Sequence, residues 1–483
     1  MAKPKRKHWS EKKAEKKARR ENAEANGGDD EKKEDEYDRR NHFPAAIHPG
    51  SYASQLDATD TTDKCGTATK KRYGLLLAYG GKQYSGMQMN IGVKTVEAEL
   101  ERALYEAGGI ARCNYGMIQK VAFLMNTSSM LITPQIGWNR AARTDKGVHA
   151  AGQLVCAKLC IEDGKVEEFR LKVNSFLPTD IQVLEIVLVT KNFNAKNSCD
   201  RRTYEYLTPT FVFAPKAAAA DSSEGGGAAA AGPWTAKTND EFQSLEVDPA
   251  AWAKQKEFRL DASALEKLRE TLAIFEGTHN FHNYTSKLPP YSPKCKRYIL
   301  SFEADTPFVK NGTEWIRLRV IGQSFLLHHI RKMIGTTMDV LRGSTPASTI
   351  TKAFEQTKMD LPKAPSAGLY LAKVPRRFQC YAHFEVYNDK NENHRPSLAF
   401  DEPDQVARIE GFKEAFIFPE IMEREEQDAV FPLWLLQLDA IPFSYTTCPY
   451  DEWRAKKDEE TKRKQSGGGV PDSDDEQGED DDE

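Results

Sequence analysis

The stretch RAARTDKGVHAAGQ, residues 140–153, sets one acid, Asp145, between Arg143 and Lys146, with Gly147 close behind and an alternating apolar run, Val148 to Ala157, after it. A carboxylate flanked by a guanidinium is held ionised by a charge-assisted pair, which keeps it available as a nucleophile or as an electrostatic partner. Gly147 would let a substrate or another backbone come close. Taken alone, R-x-D in a turn is more commonly a salt bridge, and His149 alone is more commonly a turn or strand residue than a catalyst. The rest of the chain has to decide between these readings.

The elements that would position Asp145 can be read from periodicity. RYGLLLAYGG, 72–81, is an apolar run closed by Gly-Gly, which predicts a buried strand. Thr95 is placed to cap a helix through Val96, Leu100, Ala103 and Leu104, stopped by Gly108 and Gly109. A second such unit begins at Asp261, shows Leu265, Leu268, Leu272 and Phe275 on one face, and stops at Gly277. RRTYEYLTPT, 201–210, alternates as a strand, and 314–335 alternates from Trp315 to Ile321 before a helical pattern through Phe325, Ile330, Met333 and Ile334. APSAGLYL, 364–371, reads as an exposed Gly-Leu-Tyr turn. Strands and helices interleave twice, which predicts an α+β fold of two related α/β halves with mixed, mainly antiparallel sheets. The expected boundaries are 71–190 for the half carrying RTD and 191–390 for the second half, with a low-complexity insert at about 216–240. A segment at 391–450 reads as one or two helices that pack on the body, limited in length by Pro419 and Pro432, with no visible chemistry.

Composition bounds the answer. A chain of 483 residues that is 39% hydrophobic can bury a substantial core in two or three domains. Eight cysteines without a CxxC pair or a secretory signal read as reduced thiols of a cytosolic or nuclear protein, and no apolar run is long enough to predict a membrane span. Residues 1–20 carry ten Lys/Arg against two Glu, while 472–483 carry nine acids and no base. The remainder is slightly acidic, so RNA binding would need a patch rather than bulk charge. Residues 1–70 and 451–483 read as disordered charged tails, and Lys3 to Lys7 as a nuclear-import patch or a solvated basic tail. A P-loop, a GxGxxG after a strand, and metal-ligand spacing are all missing. The histidines 279, 282, 328 and 329 have no cysteine or acid at matching spacing, so the expectation is no metal and no cofactor.

Four separated motifs change the odds at Asp145. YGGKQYSGMQ (79–88), ARTDKGVHA (142–150), the strand bearing Arg202, Tyr204 and Tyr206, and GQSFLLHHIRKMIG (322–335) with APSAGLYL resemble, in order, the TruA-type pseudouridine synthases. That family's G-R-T-D-x-G-V-H-A is matched except for Ala142, and Met87 stands where the family more usually has Trp. GTHNFHNYTS (277–286) and KCKRYI (294–299) look like the eukaryotic multisite branch.

The resemblance implies a central pseudouridine-synthase sheet and cleft, and isomerisation of uridine to pseudouridine within tRNA, in and near the anticodon stem, extending to snRNA or mRNA. It makes Asp145 the nucleophile on a flipped base, Arg143 and Arg331 the basic residues that balance it, and Tyr204 the tyrosine stacked on that base, with only one of Tyr204 and Tyr206 facing the cleft. Leu369 would keep the pocket apolar. Lys146, Arg202, Lys296 and Arg297 are the expected phosphate contacts. A nuclear monomer is expected, with cytoplasm or mitochondrion as further locations and no membrane association. The competing reading is a catalytically silent RNA-binding protein of the same fold.

Overall fold

The structure is a computed structural model that describes residues 48–56, 63–117, 121–125, 128–132, 136–198, 201–216, 246–286, 288–373, 400, 402–456 and 459. The basic run Lys3 to Lys7, the insert at 217–233 and the acidic stretch 472–483 lie outside them.

The strands are β1 (Lys70–Tyr79), β2 (Val121–Met125), β3 (Ser128–Ile132), β4 (Asn139–Arg140), β5 (His149–Cys160), β6 (Ile181–Leu188), β7 (Arg202–Pro209), β8 (Gly277–Asn280), β9 (Lys296–Ala304), β10 (Phe308–Lys310), β11 (Thr313–Gly322) and β12 (Leu369–Lys373). All but the β2–β3 hairpin join one ten-stranded sheet, whose main path runs β6-β1-β5-β12-β7-β11-β9-β8. The two expected halves therefore share a single sheet. β12 closes it by pairing parallel to β5 (Tyr370 with His149) and antiparallel to β7 (Leu371 with Tyr204). This corrects the reading of 364–371 as an exposed turn. Leu369 is 7% exposed and Tyr370 and Leu371 are fully buried, because a strand between two neighbours with covered faces has no solvent side.

The helices follow their caps. α1 (Val96–Glu106) starts where the Thr95 hydroxyl accepts from the amide of Ala98, and α3 (Ala262–Ala273) where the Asp261 carboxylate accepts from Ala264. α2 (Val166–Phe176) lies between them in sequence, and α4 (His329–Arg342) begins later than its pattern suggested, leaving Phe325 in the connection after β11. The C-terminal segment forms α5 (Pro403–Phe412), α6 (Phe418–Asp428) and α7 (Val430–Ala440). A π-helical turn, Lys413–Ile417, joins α5 to α6 and lets Pro419 sit in the first turn of α6.

Part of the N-terminal segment read as disordered is ordered. A 3-10 turn, Tyr52–Gln55, docks on α1, with Tyr52 donating to Glu99 at 2.7 Å and Ser51 to Glu101 at 2.5 Å. GTHNFHNYTS contributes to an aromatic cluster with Phe354 and His329. His279 stacks on Phe354 at 4.2 Å, Phe281 meets Tyr284 edge-on at 5.7 Å, and burial pushes the His329 imidazole down to about 3.

Candidate active site

Asp145 sits on the loop between β4 and β5, and this loop is anchored residue by residue. Arg140 enters it from β4 with its guanidinium on the fully buried Glu97 of α1, at 2.5 and 3.0 Å. The buried Gln153 amide accepts from the Ala142 backbone at 3.2 Å and donates back to the Ala142 carbonyl at 2.8 Å. The Thr144 hydroxyl meets the Tyr79 hydroxyl at 2.8 Å, and the Thr144 carbonyl accepts from the Met87 amide at 3.2 Å. Gly147 donates to the Tyr84 carbonyl at 3.3 Å.

The segment 79–88 is thus a cradle for the loop. Gly86, at φ +94°, lies so close that a Cβ there would stand 2.7 Å from the Thr144 carbonyl oxygen, which requires glycine twice over. Between these anchors, Arg143, Asp145 and Lys146 are exposed while Thr144 is buried. The charge of this loop is presented to solvent, not buried beside the strand.

Other expected site residues lie on β7, β12 and α4. Tyr204 and Tyr206 share one face of β7, since residues two apart in a strand point the same way. Position along the strand separates them. Tyr206 is fully buried, with its hydroxyl donating to the Pro365 carbonyl at 2.9 Å. Tyr204 is 8% exposed and packs edge-on against Phe325 at 5.3 Å. Arg331, in the first turn of α4, donates from Nε to the Ala364 carbonyl at 2.7 Å, while Ala364 donates back to the Arg331 carbonyl at 3.0 Å. A cation in a helix's first turn opposes the helix dipole, so this placement is set by tertiary contacts rather than by local helix preference. Leu369 opens β12, paired with Tyr206.

The expected phosphate contacts divide. Lys146 is exposed beside Asp145, and Lys296 is exposed at the start of β9 with Arg297 next to it. Arg202 is engaged by the protein itself. Its guanidinium donates to the Ala141 carbonyl at 2.6 and 3.0 Å and to the Gln323 carbonyl at 2.9 Å, tying the loop's root to the end of β11. Arg202 thereby has a bracing role that its sequence position did not suggest. Among the described residues, no three His, Cys, Asp or Glu side chains stand close enough to hold a metal ion, and no helix is long and apolar enough to cross a membrane.

The C-terminal helices, where no chemistry was expected, reach the same loop. Glu420 of α6 places Oε2 3.5 Å from Nδ1 of the buried His149, which already accepts from the Gly81 amide at 3.0 Å. Burial, with Arg424 and Lys82 nearby, pushes His149 down to about 4, and burial pushes Glu420 up to about 7 against the pull of Lys82 and Arg424. Near pH 6 both are neutral, so the contact is no ion pair. Protonated Glu420 avoids setting a carboxylate against an accepting imidazole nitrogen. Arg424 approaches Gly147, its guanidinium 3.9 Å from where a Cβ would sit. No motif links Glu420 to His149 across that sequence distance, so sequence reading had no signal for the pair. Arg140 and Tyr79 did have one: the first adjoins the motif and the second ends the apolar run before the cradle.

Comparison with known proteins agrees with this geometry. A family profile described as "tRNA pseudouridine synthase" matches residues 272–375. Mouse "Pseudouridylate synthase 1 homolog" is 35% identical, the match covering 78% of this chain and 76% of that protein. For the human protein of the same name the figures are 36%, 77% and 74%. "tRNA pseudouridine synthase 1" of Yarrowia lipolytica is 31% identical over 75% of this chain and 73% of its own length. Similarity over three quarters of the chain, in a molecule whose acid-bearing loop is held at a mixed sheet, places this protein in the TruA-type tRNA pseudouridine synthase family.

Proposed function

We propose that this chain isomerises uridine to pseudouridine in tRNA, in and near the anticodon stem, with Asp145 as the nucleophile on a flipped nucleotide. The observation that carries the reading is the contrast within one loop: an exposed carboxylate at Asp145 between neighbours whose backbones are clamped on both sides. A catalytic acid needs that combination of access and fixed position. Tyr204 supplies a ring for the extruded base to stack on, Leu369 an apolar wall, and Arg143 and Arg331 positive charge to balance the acid. The reaction breaks the bond from N1 to the sugar, turns the base and bonds C5 to the same carbon. The proton lost at C5 is matched by one gained at N1, so no external co-reactant is consumed.

Lys146, Lys296 and Arg297 are proposed to contact phosphates, and snRNA and mRNA are further candidate substrates. The chain is proposed to act as a monomer in the nucleus, directed there by Lys3 to Lys7. Unchanged distribution in cells after deletion of residues 1–20 would reject the import role.

The test is tritium release from C5-labelled unmodified tRNA, wild type beside Asp145→Asn. Product with wild type alone, with binding kept in the variant, supports the assignment. Equal turnover by the variant overturns Asp145 as nucleophile, and RNA binding without product from either points to a silent binder.

A further inference from the structure

Far from Asp145, at the other end of β1, a groove of about 670 Å³ is lined by Lys70, Lys71, Arg72, Lys158, Leu188, Val189 and Lys191. Its cations come from separate elements brought together by the sheet. Register sets Arg72 of β1 opposite Lys158 of β5, and Lys191 follows the end of β6. Arg72 is fixed by a bond from its Nε to the Phe193 carbonyl at 2.6 Å, and Val189 donates to the Arg72 carbonyl at 3.0 Å. Lys71 is paired with Asp163. Among the described residues, Lys70, Lys158 and Lys191 are in no ion pair. Like charges converging on a concave wall repel one another and gain nothing for the fold, whereas such a wall focuses potential onto an anion.

We infer that this groove is a second contact for the phosphate backbone of the RNA substrate, remote from the nucleotide that reacts. The inference rests on tRNA being the substrate. β1 spans the distance between the two sites: Tyr79, at its far end, holds Thr144 of the catalytic loop, while Lys70 opens the groove. At about 3.3 Å per residue the separation is roughly 30 Å. A short stem-loop bound at Asp145 would not extend that far, and a folded tRNA would. The groove then adds affinity and orientation without touching the chemistry, and selects large structured RNA over fragments.

The test compares full-length unmodified tRNA with a short stem-loop carrying the same target uridine, using wild type, Lys70→Gln/Lys191→Gln and the triple variant with Lys158→Gln. The double variant alters exposed side chains only and guards against misfolding in the triple. Expected for the double variant is a Kd for full-length tRNA about tenfold weaker near physiological salt, with the salt slope reduced by about 1.8. Stem-loop Kd and kcat at saturation on either RNA should stay unchanged. Unaltered tRNA binding would overturn the proposal and leave a solvated face. So would equal weakening on both RNAs, which would show only a general field, and so would a loss of tRNA affinity that disappears when the acidic tail 472–483 is removed, which would make that tail the occupant. Wild-type turnover is scored separately: if wild type binds both RNAs but converts neither, the synthase reading fails while the groove is still judged on binding.

Discussion

Two regions of the molecule treat charge in opposite ways. On one side, the loop between β4 and β5 leaves Arg143, Asp145 and Lys146 exposed. On the other, the carboxylate of Glu205 is 3% exposed and fully engaged: Arg319 donates to it at 2.9 Å, Tyr370 at 2.6 Å and Lys413 at 3.2 Å, with Arg317 at 3.8 Å. Burial works most strongly against ionising Glu205, but these partners together outweigh it and hold its pKa below the ordinary value. That network fastens the turn between α5 and α6 to the Glu205 face of the sheet. A buried charge that is saturated by protein partners is a fastening, and under the proposed function the exposed one on the clamped loop is a tool.

The comparison can be broken from either side. Asp145→Asn should lower pseudouridine formation by about 10⁴-fold or more, with tRNA binding and unfolding midpoint close to wild type. A large loss of stability in that variant would make Asp145 a fastening too. Lys413→Met should do the reverse. It removes one partner of a buried carboxylate and should cost about 3 kcal/mol in urea unfolding, with kcat retained by the folded fraction. Tyr204→Ala should weaken productive binding of the target nucleotide by about 1–3 kcal/mol if a base stacks there, read as kcat/KM on labelled tRNA. An unchanged value would return Tyr204 to the core.

The finest distinction concerns Glu420, which is neither exposed tool nor saturated fastening. Its folded pKa of about 7 lies above the ordinary 4.5. A raised acid withholds ionisation that the unfolded chain gains, so stability is lost as pH rises from about 4.5 through 7. Glu420→Gln removes this dependence. Relative to wild type, the variant should gain about 2 kcal/mol between pH 5 and pH 8 in unfolding measurements. A pH-independent difference would show that Glu420 stays ionised beside Lys82 and Arg424. His149, pushed down, contributes in the opposite sense and lower, with stability lost as pH falls from about 6.5 through 4.

Local chemistry in the sequence determined much of this protein. An apolar run closed by Gly-Gly predicted β1 and alternation predicted β7 and β11, Thr95 and Asp261 marked their helices, and R-T-D-K-G-V-H-A marked the loop, because strand pattern, cap geometry and a clustered motif are encoded within a few residues of one another. What the fold alone decided is what long-range pairing decides. A Gly-Leu-Tyr segment became the central strand because β5 and β7 each offered it an open edge. Arg202 turned to two backbone carbonyls because its strand begins beside the loop's root. Lys413, Glu420 and Arg424 came to Glu205, His149 and Gly147 because α5 and α6 pack across the sheet. No spacing in a linear chain announces which distant carboxylate will be buried beside which imidazole; only closing the sheet and covering it brings them within a few ångströms.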